Sequence, residues 1–212
     1  MMNDIIGDMS FNRFVNLDSI EERIINHFVT SQTDNANRIC KLLKYSDTKA
    51  LLKPSLTLKE KAELVDMDSS NQEEKRFFRS PFIEDAMTVQ CSLIRIYIDS
   101  IVPKNHLNSI VNVGFDIVTH NKIVNVYNDA CDDIENPEQF RPIEQQVMMK
   151  SRNSVILKNL LAELNGLEIA GVGKFQFNQQ LSPFSQARLG IFNNKNYMGY
   201  KVVVPVMMSG VS

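Results

Sequence analysis

The apolar residues of this 212-residue chain repeat with one period before Pro81 and another after it. A repeat of 3.6 writes one face of a helix and a repeat of 2 writes one face of a strand, so all-helical and all-strand folds are both excluded. Before Pro81, Leu17, Ile20, Ile24, Ile25 and Phe28 make a one-sided stripe, and Asp18 with Glu21 forms an expected capping pair at its start. A second helix is expected over Asn35–Tyr45, with Asp34 as its cap and Ile39, Leu42 and Leu43 facing inward. Thr57 and Glu60 mark a third start, followed by Leu58, Ala62 and Val65 on one face. The polar run Asp66–Asn71 ends it. Residues 68–79 (DSSNQEEKRFFR) read as an arm or surface loop whose aromatics, Phe77 and Phe78, dock elsewhere.

After Pro81 the strands begin. Val89–Ile101 is expected to be a long strand with a phase switch between Leu93 and Ile94, which requires a bulge or burial on both faces. Val111, Val113, Phe115 and Ile117 alternate with polar positions, and Lys122–Tyr127 is a third, shorter strand after a turn at His120-Asn121. An antiparallel three-stranded meander is the expectation. The stretch 128–141 (NDACDDIENPEQFR) is acidic and reads as an exposed excursion. One amphipathic helix follows, from Ile143 or Ser151 to Asn165, with Val155, Ile156, Leu160, Leu161 and Leu164 on one side and Gly166 as its stop. Ile169–Phe177 and Tyr200–Met207 close the chain as strands, separated by a polar loop, Asn178–Tyr197, long enough to be a contact site. The division is a helical region over 1–75 and a sheet domain over 76–212. The fold class is α+β: helices first, then a mixed, mainly antiparallel sheet of about five strands packed with one long helix.

Composition now narrows the function. With 23 Lys and Arg against 25 Asp and Glu the net charge is −2, and wholesale nucleic-acid binding would need a basic field. Lysines 41, 44, 49, 53, 59 and 61, followed by Lys75, Arg76 and Arg79, offer a local basic flank that could touch phosphates or simply solvate helices. Only 8 Gly are present, and Gly171-Val172-Gly173-Lys174-Phe175 fails as a phosphate loop: Glu168 stands where the first Gly belongs and Phe175 where Ser or Thr would hold magnesium. Cys40, Cys91 and Cys131 lie far apart, so neither a zinc ribbon nor a redox pair is available, and three reduced thiols are expected. Neither a signal peptide nor a bilayer-spanning run is expected, the longest apolar stretch being Val202–Met208 with Pro205 inside it.

Catalytic constellations are few. No GxSxG surrounds a serine, and the three histidines, His27, His106 and His120, are scattered. The best enzymatic alternative is a metal-dependent nuclease or phosphodiesterase, because Asp116, His120, Asp129, Asp132, Asp133 and Glu135 place one His and five carboxylates within twenty residues. In it, Asp116 on the polar face of its strand is approached by His120 at the strand end. A protein-binding adaptor that forms no ring is a third reading.

The order of the segments carries a resemblance. The run VNVGFDIVTHNKIVNVYN, an acidic loop, Arg141-Pro142, the helix SRNSVILKNLLAELNGL and the closing NYMGYKVVVPV resemble the neck and tail-completion proteins of tailed bacteriophages, the tail-terminator-like head-tail connectors, over residues 80–208. The Asn-rich, Ala-poor composition and long helical start are similar to a crAss-like phage collar ring. The resemblance implies a small mixed sheet flanked by helices in a non-enzymatic virion protein that lines the DNA channel. It implies a sixfold or twelvefold ring of copies of this chain, with portal and tail or neck proteins as partners. DNA is then only non-specific cargo, no cofactor or metal is required, no membrane is involved, and the protein is made in the host bacterial cytoplasm. Contact anchors on this reading are Phe77, Phe78, Arg79, Phe140, Arg141 and Phe184, and Asp132, Asp133 and Glu135 suit a channel wall.

Overall fold

The computed structural model describes residues 17–66, 74–79, 89–104, 108–127, 149–190, 192 and 194–209. The fold is α+β, with N-terminal helices followed by a mixed, mostly antiparallel curled sheet on which one helix packs. A single 3-10 turn, Leu17–Ser19, leads into α1 (Ile20–Thr30); α2 (Asp34–Lys44) and α3 (Leu58–Glu63) follow. The stripe of α1 is buried at Ile20, Ile24, Ile25 and Phe28. Its expected Asp18–Glu21 cap is not formed: the N-cap is Ser19, whose side chain makes no capping bond, because the preceding 3-10 turn already occupies that corner. In α2 the cap is Thr33, which accepts from the Ala36 N–H, and Asp34 moves inside the first turn. The Thr57–Glu60 capping box is complete. Its helix lasts only six residues, however, and turns Leu58 and Ala62 outward while Lys61, Leu64 and Val65 go in.

The strands are β1 (Phe77–Phe78), β2 (Ser92–Pro103), β3 (Asn108–His120), β4 (Asn125–Tyr127) and β5 (Met149–Ser151), then α4 (Arg152–Leu164), then β6 (Glu168–Ile169), β7 (Gly173–Phe175), β8 (Gln186–Gly190) and β9 (Tyr197–Ser209). Seven of them form the main sheet rather than five, in the order β1-β2-β3-β9-β7-β6, with β8 also paired to β9. The expected meander does not form. From Asn108 to His120, β3 is flanked by β9, and from Ser109 to Thr119 also by β2, so no edge is left for β4. That strand turns away and makes a separate two-stranded ladder with β5.

The phase switch in β2 resolves as burial on both faces, with Ser92 through Ile96 all buried, while the register irregularity falls later, between Ile98 and Ser100. One face, carrying Ile94, Ile96, Val113, Phe115, Ile117, Val202 and Val204, forms a single core with α1, α2 and α4. The other face has a smaller apolar cluster of Cys91, Leu93, Val118 and Tyr197 beneath Phe78, Val89 and Phe192. Residue 75 therefore marks a change of element type, and the described residues on either side of it share one core. The helix α4 stops as expected, with Gly166 at φ 89°. The strand expected over Ile169–Phe177 is two short strands, because Gly171 and Gly173 both sit at positive φ and bend the chain between β6 and β7.

Candidate interaction surface

Polar groups drawn into the structure are mostly spent on holding it. On the sheet face away from the helices, Arg95 of β2 donates to the Asp116 carboxylate of β3 at 2.5 Å, and the Tyr97 hydroxyl donates to the same carboxylate at 3.1 Å. The Tyr97 ring lies across Gly114, where a Cβ would stand 2.5 Å from it. Burial pushes the Asp116 carboxyl up and the Arg95 guanidinium down, each opposed by the other's charge. His120 stands four residues along the same strand, which at strand rise is about 13 Å away. Its Nδ1 accepts from the Lys122 N–H at 3.2 Å, and burial lowers its pKa. Asp116 and His120 thus do not converge, which corrects the geometry expected for a nuclease. Among the described residues no three His, Cys, Asp or Glu side chains form a metal-binding group. Asp129, Asp132, Asp133 and Glu135 lie outside the described residues.

The basic flank is likewise largely used inside the fold. Lys61 is buried and donates to the Ser31 carbonyl at 2.7 Å, Lys41 donates to that of Leu51, Arg76 to that of Leu43, and Lys53 pairs with Asp47. A groove of about 270 Å³ runs along α4, lined by Lys150, Ser151, Ser154, Val155, Lys158 and Asn159, without a carboxylate, imidazole or thiol.

Large apolar side chains remain outward on α3 (Leu58), on β9 (Met198 and Met207), before β8 (Phe184) and at the sheet edges (Leu189 and Ile101). The loop expected over Asn178–Tyr197 contains β8, an edge strand that the sequence did not announce, pairing from Gln186↔Val203 to Gly190↔Gly199. Its only apolar side chains are Ala187 and Leu189, too few to signal a strand against the polar residues around them. Leu189 is 75% exposed, with Met198 and Phe184 each 46% exposed nearby in sequence. Isolated exposed apolar side chains are ordinary, but one on an edge strand whose outer side has no partner strand among the described residues is a docking feature. At the opposite end of the sheet, β1 covers β2 only at Ile94 and Arg95. Beyond them, among the described residues, the outer edge of β2 has no partner strand up to Pro103.

Of the anchors expected from sequence, Phe184 is outward and Arg79 is exposed. Phe77 is a correction: it is fully buried and stacks on Phe28 of α1 with ring centroids 5.8 Å apart, so it serves this chain's own core. Phe78 is half-buried and packs on the smaller cluster. Phe140 and Arg141 lie outside the described residues. No described helix is long and apolar enough to cross a membrane.

Residues 36–206 match the YomW family. No curated protein and no solved structure matches the chain.

Proposed function

The chain belongs to the YomW family, a family from a Bacillus prophage region, and we propose that it is a non-enzymatic structural subunit of a phage particle. On this reading it assembles as a homo-oligomeric ring in the neck or tail, between portal and tail proteins, with DNA passing through as non-specific cargo. The observation that carries the reading is that, among the described residues, the sheet has unlike edges without a partner strand, β8 and β6 on one side and the distal half of β2 on the other. Two different edges at opposite ends favour head-to-tail contact over a two-fold one, and repeated head-to-tail contacts close into a ring when the rotation permits. The net charge of −2 suits a protein that lies beside DNA without gripping it.

Mass photometry of the purified chain, alone and mixed with the portal and tail proteins of the same phage, tests this. Discrete ring-sized masses are the expected result. A strictly monomeric species in every mixture rejects the ring. Magnesium- or manganese-dependent DNA cleavage by the purified chain, abolished by a chelator, would replace it with the nuclease reading.

A further inference from the structure

We infer that β8 of one copy pairs with the open half of β2 of the next, with Arg188 facing Asp99 across the joint. This rests on the ring reading and names the contact that builds it.

A row of charge crosses the outer face of the sheet. The register sets Arg95 opposite Asp116, Asp116 opposite Lys201, and Lys201 opposite Arg188. Read in order, the signs are plus, minus, plus, plus. The last two are cations directly across a ladder, an arrangement that is unfavourable unless an anion stands nearby. Asp116 is shared between Arg95, from which it accepts, and Lys201 directly opposite it, while Arg188 lies one strand further out and is exposed at the sheet's edge. The position beyond Arg188 therefore calls for a carboxylate on whatever strand comes next. Phosphate would supply charge but no strand, whereas the edge of β8 offers backbone groups that only another extended chain can pair.

The open half of β2 meets these requirements. Its register irregularity leaves Asp99 exposed there, held by a bond from the Ser100 hydroxyl at 3.1 Å. Apolar complementarity is on the correct side as well. Leu189 is opposite Tyr200 and Ile101 is opposite Val111, which places both on the helix-facing side of the sheet, and they are 75% and 37% exposed. Strand direction also agrees. Successive antiparallel pairings β2–β3, β3–β9 and β9–β8 make β8 run opposite to β2. Small rotations between neighbours in a ring preserve that sense, so β8 enters as the antiparallel neighbour of β2 and continues the alternation of the sheet.

Sedimentation velocity and mass photometry of the full chain test the pairing with charge reversals. Arg188→Glu and Asp99→Arg are both surface changes, so circular dichroism is expected to match the wild type. Each variant alone is expected to self-associate about tenfold more weakly. In an equimolar mixture every joint regains one cation and one anion, so the oligomer should return with the two variants alternating. Leu189→Asn should weaken association without being rescued by either partner. If both charge variants assemble like the wild type, or if their mixture stays dissociated, the β8–β2 joint is wrong while the ring stands. If the wild type itself is monomeric at every concentration, with portal and tail proteins present, both fall together.

Discussion

Asp116 looked in the sequence like the best placed carboxylate for chemistry, and its surroundings give it a structural task instead. Its carboxylate is buried between Arg95 and Tyr97, so removing it takes this counter-charge from a buried guanidinium. Asp116→Ala is expected to lower the unfolding free energy by about 3–5 kcal/mol, measured by urea denaturation. Arg95→Met with Asp116→Leu should recover most of that loss, because apolar replacement removes both desolvation costs together. The thiols follow the same logic of burial. Cys40 is held at about 12, chiefly by burial, with Lys61 opposing, and burial also raises Cys91. Only the thiolate reacts, so iodoacetamide at pH 8 should label neither Cys40 nor Cys91 in the folded protein and both in denaturant, read by mass spectrometry of peptides. That Cys40 and Cys91 form no disulfide with each other was legible from their spacing, while Cys131 lies outside the described residues. The burial that silences the first two was not legible, since nothing local distinguishes Cys40 from an exposed helical cysteine.

The first turn of α3 and the joint of α1 with α4 show how differently two elements can be encoded. In α3 the capping box is written within four residues: the Thr57 N–H donates to Glu60 Oε2 at 2.8 Å and the Thr57 hydroxyl at 2.7 Å. These two bonds hold the Glu60 carboxyl below its usual value of 4.5. A folded value below the unfolded one means that the contribution is fully present above about 4.5 and is lost as the pH falls through the lower folded value. An NMR titration of the Thr57 amide should therefore show a midpoint below 4.5, and Thr57→Ala should return the Glu60 midpoint towards it. Glu163 of α4, by contrast, accepts from His27 Nε2 at 2.7 Å, from Ser31 Oγ at 3.1 Å and from Thr33 Oγ1 at 2.6 Å, all more than 120 residues away. Glu163→Ala should cost about 3 kcal/mol and Glu163→Gln about half of that, because the amide oxygen still accepts. No periodicity could have paired Glu163 with the end of α1, because the signal is long-range. The capping box was readable for the opposite reason.

Across the molecule, Arg152 ties the two halves together. It is fully buried at the start of α4 and donates to the carbonyls of Ile123 at 2.9 Å, Leu42 at 2.9 Å, Tyr45 at 2.6 Å and Asp47 at 2.6 Å. Burial lowers its pKa to about 10, with Asp47 opposing, so it keeps its charge near neutrality. Four carbonyls at the end of α2, in the turn after it and before β4 lose their donor together if it goes. Arg152→Met is expected to cost about 3–5 kcal/mol. Because the helical region and the sheet share one core, calorimetry should show a single transition with equal calorimetric and van't Hoff enthalpies. Two separate transitions would mean that the region before residue 75 folds independently.

The sequence by itself determined the fold class, the positions of the long helices, the start of α3 at Thr57 and the stop of α4 at Gly166, because each of those depends on residues within a turn or two of one another. It also determined that β3 would be apolar on one face. Tertiary structure alone decided that β3 would be covered on both edges, that β4 would be expelled from the sheet, and that Phe77 would go inward onto Phe28. It alone made an edge strand of Gln186–Gly190 and lined up Arg95, Asp116, Lys201 and Arg188 in one row. Strand partners are chosen by which edges remain open once the longest strands have paired, and that competition among distant segments leaves no trace in any local pattern.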